Sequence, residues 1–334
     1  MKQRTGEYGN AIMYLTNPKK CGSILMEAMK TMAKKLSFEE RQAIFADTDK
    51  ARDYLESVRW PDGVICPHCG AEDAYRLTGK STRKGLFKCR ACRRQFTVTV
   101  GTIFQGSHIK LNKWLYAIYL MCESKKGISS NQLSRDVGVT YKSAWFMTHR
   151  IRQAMSNGGV MKFDGIVEAD ETYIGGRTKG GKRGRGAEKK TPVFALIQRD
   201  GEARSFHVDN VRKRTLQGLI GENVEETAHI MTDSFLSYRG LGRIFAGHDF
   251  VDHSKEYVRG IVHTNFAESY FSLLKRGILG TFHHVGREHL QRYLHEFDFR
   301  WNRRDDETAE SLDAVLRQAI GQRLLYRDSA RCIA

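Results

Sequence analysis

Four of the seven cysteines stand in two Cys-x-x-Cys pairs, and this pattern constrains the fold more than any other feature of the chain. Cys66 and Cys69 form the first pair, Cys89 and Cys92 form the second, and residues 70–88 separate the two. A Cys-x-x-Cys turn brings two thiolates to one ion, so two such turns complete a tetrahedral zinc shell. The pattern predicts a small zinc ribbon with a structural metal ion, against the alternative of a redox dithiol or four unrelated buried thiols.

Length and charge define the broad class. A chain of 334 residues predicts two or three domains, and 55 Lys and Arg against 38 Asp and Glu predict a polyanionic partner, most commonly nucleic acid. The odd number of cysteines argues against a disulfide framework. The sequence has neither a secretory signal nor an apolar run of about 18 residues, so we expect a cytoplasmic, nucleoid-associated protein with no membrane partner.

Changes in pattern along the chain predict five segments. The first segment has no assigned role, the second is a helix followed by the ribbon, and the third is helical. The fourth is rich in Val, Ile, Phe and Tyr strands that alternate with helices, which predicts an α/β domain with a mixed sheet. The last is a C-terminal tail. In order, they cover residues 1–36, 37–105, 106–157, 160–304 and 305–334.

The third segment contains a pattern typical of a helix-turn-helix. A short helix, a glycine turn at Gly138 and a second helix that begins near Thr140 have the required dimensions. Tyr141, Lys142 and Ser143 would then begin a recognition helix facing DNA. The alternative is an ordinary helical hairpin in a core, to which Trp145, Met147 and Ile151 would contribute.

Two aspartates occupy strand positions in the α/β domain. Alternation in GIVEADETYIG places Asp170 on the same face as Glu168 and opposite to Glu171. Asp233 ends the strand HIM, and α/β sheets present ligand-facing residues at the carboxyl ends of their strands. Each aspartate also has a simpler explanation: Asp170 as a solvent-facing acid, and Asp233 as the N-cap of a following helix.

A third acid, Glu268, begins the helix NFAESYFSLLKRG. Asn265 and Glu268 match a capping box, which would occupy the carboxylate locally. Glu268 and Lys275, however, lie nearly two turns apart on one face with Ser272 between them. This arrangement suits a helix that carries both a metal ligand and a cation for a phosphate. Oxygen ligands favour Mg²⁺ or Mn²⁺ over zinc.

Residues 175–190 form a basic, glycine-rich segment between two predicted strands. We interpret it as a hairpin that binds DNA phosphates, because Lys and Arg contribute sequence-independent affinity. A merely solvated loop is the alternative. The candidate contacts are Arg177, Lys179, Lys182, Arg183 and Arg185.

Five features follow one another along the chain: the ribbon, the helical segment, VEADETYIGG, TDSFLSY and HTNFAESYFSLLKRG. In this order they resemble bacterial DDE insertion-sequence transposases of the IS1595 group, which have an ISXO2-like catalytic domain. The resemblance extends from about Phe38 to about Arg304. It implies an RNase H-like catalytic domain in which Asp170, Asp233 and Glu268 bind the metal ions. Lys275, with the adjacent Arg276, would contact DNA.

The resemblance implies a metal-dependent enzyme that binds double-stranded DNA at the ends of its own element. It would cleave the DNA and join it to target DNA by in-line attack of water or a 3′-hydroxyl on a phosphodiester. A homo-oligomer on DNA is the expected assembly. The alternatives are an RNase H-like nuclease without strand transfer, and a domesticated or inactive zinc-ribbon DNA-binding regulator.

Overall fold

The computed structural model describes residues 37–156, 161–175, 190–256 and 258–325. The chain divides into two compact units, residues 1–42 and 43–334. In the first unit, Ser37 and Glu40 form the predicted capping box: the N–H of Ser37 donates to Glu40 Oε2 (2.9 Å), and the N–H of Glu40 donates to Ser37 Oγ (3.2 Å). Apart from the first residues of the helix that follows Ser37, the features described below belong to the second unit.

Two helices precede the ribbon, where the sequence pattern predicts one. They are α1 (Phe38–Ala46) and α2 (Thr48–Arg59). Asp47 separates them because its backbone is extended and its side chain caps α2. Its Oδ1 accepts the N–H groups of Asp49 (2.6 Å) and Lys50 (3.2 Å).

The ribbon is a three-stranded antiparallel sheet in the order β1-β2-β3. Its strands are β1 (Ala74–Arg76), β2 (Phe87–Cys89) and β3 (Gln95–Phe96). Trp60 packs edge-on against Phe87 and Phe96, with ring centroids 5.4 and 6.0 Å away. These three buried rings form a small apolar core in the ribbon.

Three helices connect the ribbon to the larger sheet: α3 (Leu111–Glu123), α4 (Ser130–Val137) and α5 (Tyr141–Ala154). Gly138 ends α4 in the left-handed conformation (φ +66°), which a glycine adopts without steric cost. Lys113 Nζ donates to the Gly138 carbonyl (2.7 Å) and so fixes the turn against α3.

The larger sheet is mixed and has five strands in the order β6-β5-β4-β7-β8. β4, β5 and β6 form an antiparallel meander, while β7 and β8 run parallel to β4. This is the RNase H-like topology. The strands are β4 (Ile166–Ile174), β5 (Thr191–Gln198), β6 (Ala203–His207), β7 (His229–Asp233) and β8 (Gly247–Val251).

Helices cover both faces of this sheet. On one face, α6 (Lys213–Asn223) packs on Val167 and Ala169 of β4. On the other face, α7 (Asn265–Gly277) and α8 (Arg287–Asn302) pack on Ile174 and the β5 residues Val193, Ala195 and Ile197. A single π-helical turn, Ile278–Phe282, extends α7. The α/β prediction is therefore confirmed.

The segment that the sequence analysis treats as a tail contains a further helix, α9 (Thr308–Gln318). Ala309, Leu312 and Val315 are buried on its inner face. Thr308 Oγ1 donates to Glu123 Oε2 at the end of α3 (2.6 Å). This helix therefore closes the helical segment from the C-terminal side.

Candidate active site

The four predicted zinc ligands lie together in the ribbon. The Sγ atoms of Cys66, Cys69, Cys89 and Cys92 all lie within 4.8 Å of one another. Cys66 Sγ is 3.7 Å from Cys92 Sγ, and Cys69 Sγ is 3.7 Å from Cys89 Sγ. Zn–S bonds of about 2.3 Å require sulfur atoms about 3.8 Å apart at the corners of a tetrahedron.

The donor set and its dimensions therefore fit a structural zinc ion. The N–H of Cys92 points at Cys89 Sγ (3.5 Å), as it does in turns that stabilise a metal-bound thiolate. His68 lies outside the quartet, and its Nε2 is 3.4 Å from the Gln95 carbonyl oxygen.

The start of α5 is presented at the surface. Tyr141 is 58% exposed and Lys142 is also exposed. Ser143 instead takes part in the N-cap, because its N–H donates to Thr140 Oγ1 (3.3 Å) and its Oγ accepts from the same hydroxyl (3.0 Å). Met147 and Ile151 are buried, as a core role predicts.

A polar cleft of about 490 Å³ lies between β4 and α7. Asp170 lies on the strand side, and Glu268 lies on the helix side. Ser272, Lys275 and Arg276 continue the helix side of the cleft over the next two turns. Helical spacing thus places the acid and the two cations along one opening.

Asp233, the remaining predicted acid, acts electrostatically on the same carboxyl group, that of Asp170. Burial raises the pKa of Asp170 well above its ordinary value, and the charges of Glu171, Asp233 and Glu268 raise it further. The N–H of Glu171 donates to Asp170 Oδ1 (2.7 Å) and partly opposes the shift. This cluster of carboxylates fits a divalent cation, since hard oxygen ligands bind such ions and their mutual repulsion would be relieved.

Asp233 is the last residue of β7, at the carboxyl end of the strand. Its Oδ1 accepts the N–H of Phe235 (2.9 Å), and the chain then enters a short 3₁₀ turn, Leu236–Tyr238. The simpler explanation, an N-cap of a following α-helix, is thus replaced by a local turn bond.

Glu268 does not form the capping box that its spacing with Asn265 suggests. The N-cap of α7 is Thr264, and its side chain makes no capping bond. The Glu268 side chain is 49% exposed, and its Oε1 lies 3.7 Å from His253 Nε2. Among the described residues, only the cysteine quartet brings three or more candidate ligand atoms within 4.8 Å of one another. A two-ion site, with ions about 3.5–4 Å apart, does not require all its ligands so close.

The five candidate contacts of the basic segment, Arg177, Lys179, Lys182, Arg183 and Arg185, lie outside the described residues. Gly175 and Lys190 flank that segment and are described. Lys190 lines a second cleft of about 460 Å³, together with Tyr173, Arg212 and Phe235.

Two further acids of β4, Glu168 and Glu171, accept hydrogen bonds from residues far away in the sequence. Glu168 is fully buried and accepts two N–H groups at the start of α7. Glu171 accepts the hydroxyl of the buried Tyr238 (2.7 Å). The period-two alternation correctly separates the faces of Glu168 and Glu171, but it gives no sign of either partner.

In the part of the chain that the structure describes, no helix has the length and apolarity needed to cross a membrane. A mixed sheet of RNase H-like topology with an acidic cleft beside β4, preceded by a cysteine quartet that fits zinc, is typical of one class of protein, the transposases.

Comparisons with known proteins agree with this class. Residues 162–302 match the model of the ISXO2-like transposase domain, and residues 46–95 match the transposase zinc-ribbon domain. A protein of the transposable element ISH50 of Halobacterium salinarum is 31% identical over 293 residues, which are 83% of this chain and 98% of that relative. The chain belongs to the IS1595 family of insertion-sequence transposases.

Two further similarities are more limited. A transposase-like protein of Haemophilus influenzae is 28% identical over 113 residues, which are 34% of this chain and 89% of that protein. A crystal structure of a pre-cleavage Mos1 transpososome is also similar: the alignment covers 60% of this chain and 78% of the Mos1 chain, at 12% sequence identity. The TM-score of this alignment is 0.24, which is too low to indicate a shared fold.

Proposed function

We propose that this protein cuts the ends of its element and joins them to target DNA, and that Asp170, Asp233 and Glu268 hold the catalytic metal ions. The observation that carries the proposal is the acidic cleft between β4 and α7, which lies in a chain of net charge +17. Mg²⁺ or Mn²⁺ bound there would supply electrophilic activation of the phosphodiester and of the attacking hydroxyl.

The proposed catalytic residues lie on different elements, and each would have its own role. Asp170 is rigid because it lies in the centre of a paired strand, and Asp233 is fixed by its turn. Glu268 approaches from the helix on the opposite wall. Lys275 and Arg276 lie about two turns beyond Glu268 and would contact the phosphates on either side of the scissile bond.

DNA binding outside the cleft is proposed for the start of α5, where Tyr141 and Lys142 are exposed. The helical pair has helix-turn-helix dimensions, so this end would enter a groove while the neighbouring ribbon binds the backbone. A homo-oligomer that pairs two element ends is the assembly that this chemistry requires.

The test uses full-length, zinc-loaded protein and a DNA fragment containing the sequences that flank its gene. With Mg²⁺, cleaved ends should be joined to a second plasmid, and Asp170→Asn should abolish both steps while DNA binding persists. Glu222→Gln, at an exposed acid of the same domain, serves as the control. Full activity of the Asp170→Asn protein would refute the assignment.

The same assay separates the alternatives. Cleavage without joining would indicate a nuclease. Salt-sensitive DNA binding without any metal-dependent cleavage would indicate a regulator.

A further inference from the structure

Glu168 lies two residues before Asp170 on the same face of β4, and its side chain has no exposure to solvent. Its Oε2 accepts the backbone N–H groups of Phe266 (2.9 Å) and Ala267 (3.1 Å). Its Oε1 accepts Arg199 Nε (2.9 Å). A buried glutamate with three donors from two separate segments is a fully engaged structural group.

These bonds replace the missing local cap of α7. The first N–H groups of a helix have no partner within the helix and carry partial positive charge, so they bind a carboxylate well. Thr264 provides no side-chain cap. The carboxylate of Glu168 therefore caps the second and third residues of α7 from the neighbouring strand.

Arg199 extends the connection to the segment that leads into α7. Its Nη1 donates to the Ile261 carbonyl (2.8 Å), and its Nη2 donates to the His263 carbonyl (3.0 Å). His263 Nδ1 lies 3.4 Å from the N–H of Asn265, the first residue of the helix. The guanidinium thus compensates the buried charge of Glu168 and holds the approach to the helix.

The two walls of the acidic cleft are β4, which carries Asp170, and α7, which carries Glu268. Asp170 is two residues from Glu168 along β4, and Glu268 directly follows Ala267. The Glu168 carboxylate therefore links the strand that carries Asp170 to the start of the helix that carries Glu268. A shift of the helix start relative to β4 would change the separation of Asp170 and Glu268 directly.

We propose that Glu168 is a positioning residue that sets the separation of Asp170 and Glu268, and with it the affinity of the cleft for a divalent cation. The inference rests on the proposed function, in which these acids hold the ions. Glu168 acts in this proposal without binding the ion, because it is fully buried, does not line the cleft, and already accepts hydrogen bonds on both oxygens.

The test measures Mn²⁺ binding by the full chain without DNA, from the electron paramagnetic resonance signal of free Mn²⁺. Glu168→Gln keeps the size of the side chain but loses its charge. We expect the Mn²⁺ concentration at half-saturation to rise about 10- to 100-fold, the effect typical of losing a group that orients a metal ligand.

Glu296→Gln is the matched control. Glu296 is equally buried and bonded to two arginines, but it lies on α8, away from the cleft. It should destabilise the fold and leave Mn²⁺ half-saturation unchanged. If both variants weaken Mn²⁺ binding equally, Glu168 acts only through general stability and the inference is overturned.

Combining Glu168→Gln with Glu268→Gln tests whether Glu168 acts on Mn²⁺ binding through Glu268. In a Glu268→Gln protein, the residual Mn²⁺ binding should not weaken further on adding Glu168→Gln, because the ligand that Glu168 positions is already lost. An equal loss in both backgrounds overturns the inference.

If Glu168→Gln fails to fold, Arg199→Lys should still weaken Mn²⁺ binding in the same direction, and unchanged binding would overturn the inference. Asp170→Ala distinguishes the two proposals. If this variant binds Mn²⁺ as the wild type does, the proposed metal site fails and the inference fails with it. If Asp170→Ala loses Mn²⁺ while Glu168→Gln binds normally, only the inference fails.

Discussion

A buried ion pair joins the helical segment to the sheet domain, and replacing Arg152 by Met tests its contribution to stability. Arg152 on α5 and Glu296 on α8 have no exposed side-chain surface, and Arg152 Nε lies 2.6 Å from Glu296 Oε2. Arg300 Nη1 contacts the other carboxylate oxygen at 2.6 Å. The Arg152 guanidinium also lies over the Tyr293 ring, 3.8 Å from its centroid.

The expected cost of Arg152→Met follows from this geometry. Removing one partner of a buried ion pair costs about 3–5 kcal/mol, because the remaining charge loses its compensation. Arg300 still faces Glu296, and in the described part of the chain the two Nη atoms of Arg152 make no hydrogen bond that would be lost. Both facts favour the lower end of the range, about 3 kcal/mol.

The assay is urea unfolding of the wild type, Arg152→Met, Glu296→Gln and the double variant. Since each single change leaves a buried charge with less compensation than in the wild type, the double variant should be more stable than the sum of the two losses predicts, with a coupling of about 2–3 kcal/mol. Losses that add within about 0.5 kcal/mol would show that the two groups do not interact in the folded protein.

Acid provides an independent check on the same pair. Burial would raise the pKa of Glu296, but Arg152 and Arg300 outweigh it and lower the pKa below the ordinary 4.5. A lowered pKa contributes stability that is present above about pH 4.5 and is lost as the pH falls through the folded-state value. The difference between wild type and Arg152→Met should therefore shrink in acid. A difference that grows would contradict the ion pair.

Three further outcomes are expected. Cys89→Ser should release zinc, measured by atomic emission, and open residues 60–100 to proteolysis; a protease-resistant ribbon would contradict a structural metal. Tyr238→Phe should lower the free energy of unfolding in urea by about 1–3 kcal/mol, because the buried Glu171 loses that donor; an unchanged value would show that the bond contributes nothing. Burial raises the pKa of Asp298 from 3.8 to about 7, against donors from Tyr270 and Ser205. Stability from its bound proton is thus complete below about pH 4 and lost as the pH rises through about 7, and Asp298→Asn should flatten this slope in unfolding experiments; an unaltered slope would refute it.

The elements that the sequence predicts well are those with a local signature. Neighbouring residues alone determine some of these structures. Examples are the cysteine turns, the glycine after α4 and the apolar runs of β4 and β5. The sequence of β8, GHDFV, is largely polar and gives little sign of a strand, because its identity as a strand depends on parallel pairing with β7. α9 did have a local signal, since Ala309, Leu312 and Val315 follow helical spacing after the capping box of Glu307 with Glu310.

The orientation of α7 was predicted only in part. Tyr270 and Leu274 are buried against the sheet, as helical spacing requires, and Glu268 and Lys275 share the cleft. The local capping box with Asn265 does not form, because a carboxylate from β4 occupies the helix start instead. Sequence spacing can suggest that cap, but it cannot rank it against a partner brought in by the fold.

The three acids of β4 show how the fold distinguishes residues that look alike in the sequence. Glu168 is compensated by Arg199 and by the helix start, and Glu171 shares the hydrogen of Tyr238. Asp170 lies between them, and its pKa is raised by burial and further by the like charges around it. Protein groups thus stabilise the two flanking charges, while the repulsion at Asp170 is what a divalent cation would relieve. The same strand therefore supplies both the candidate ligand and the groups that hold its surroundings in place.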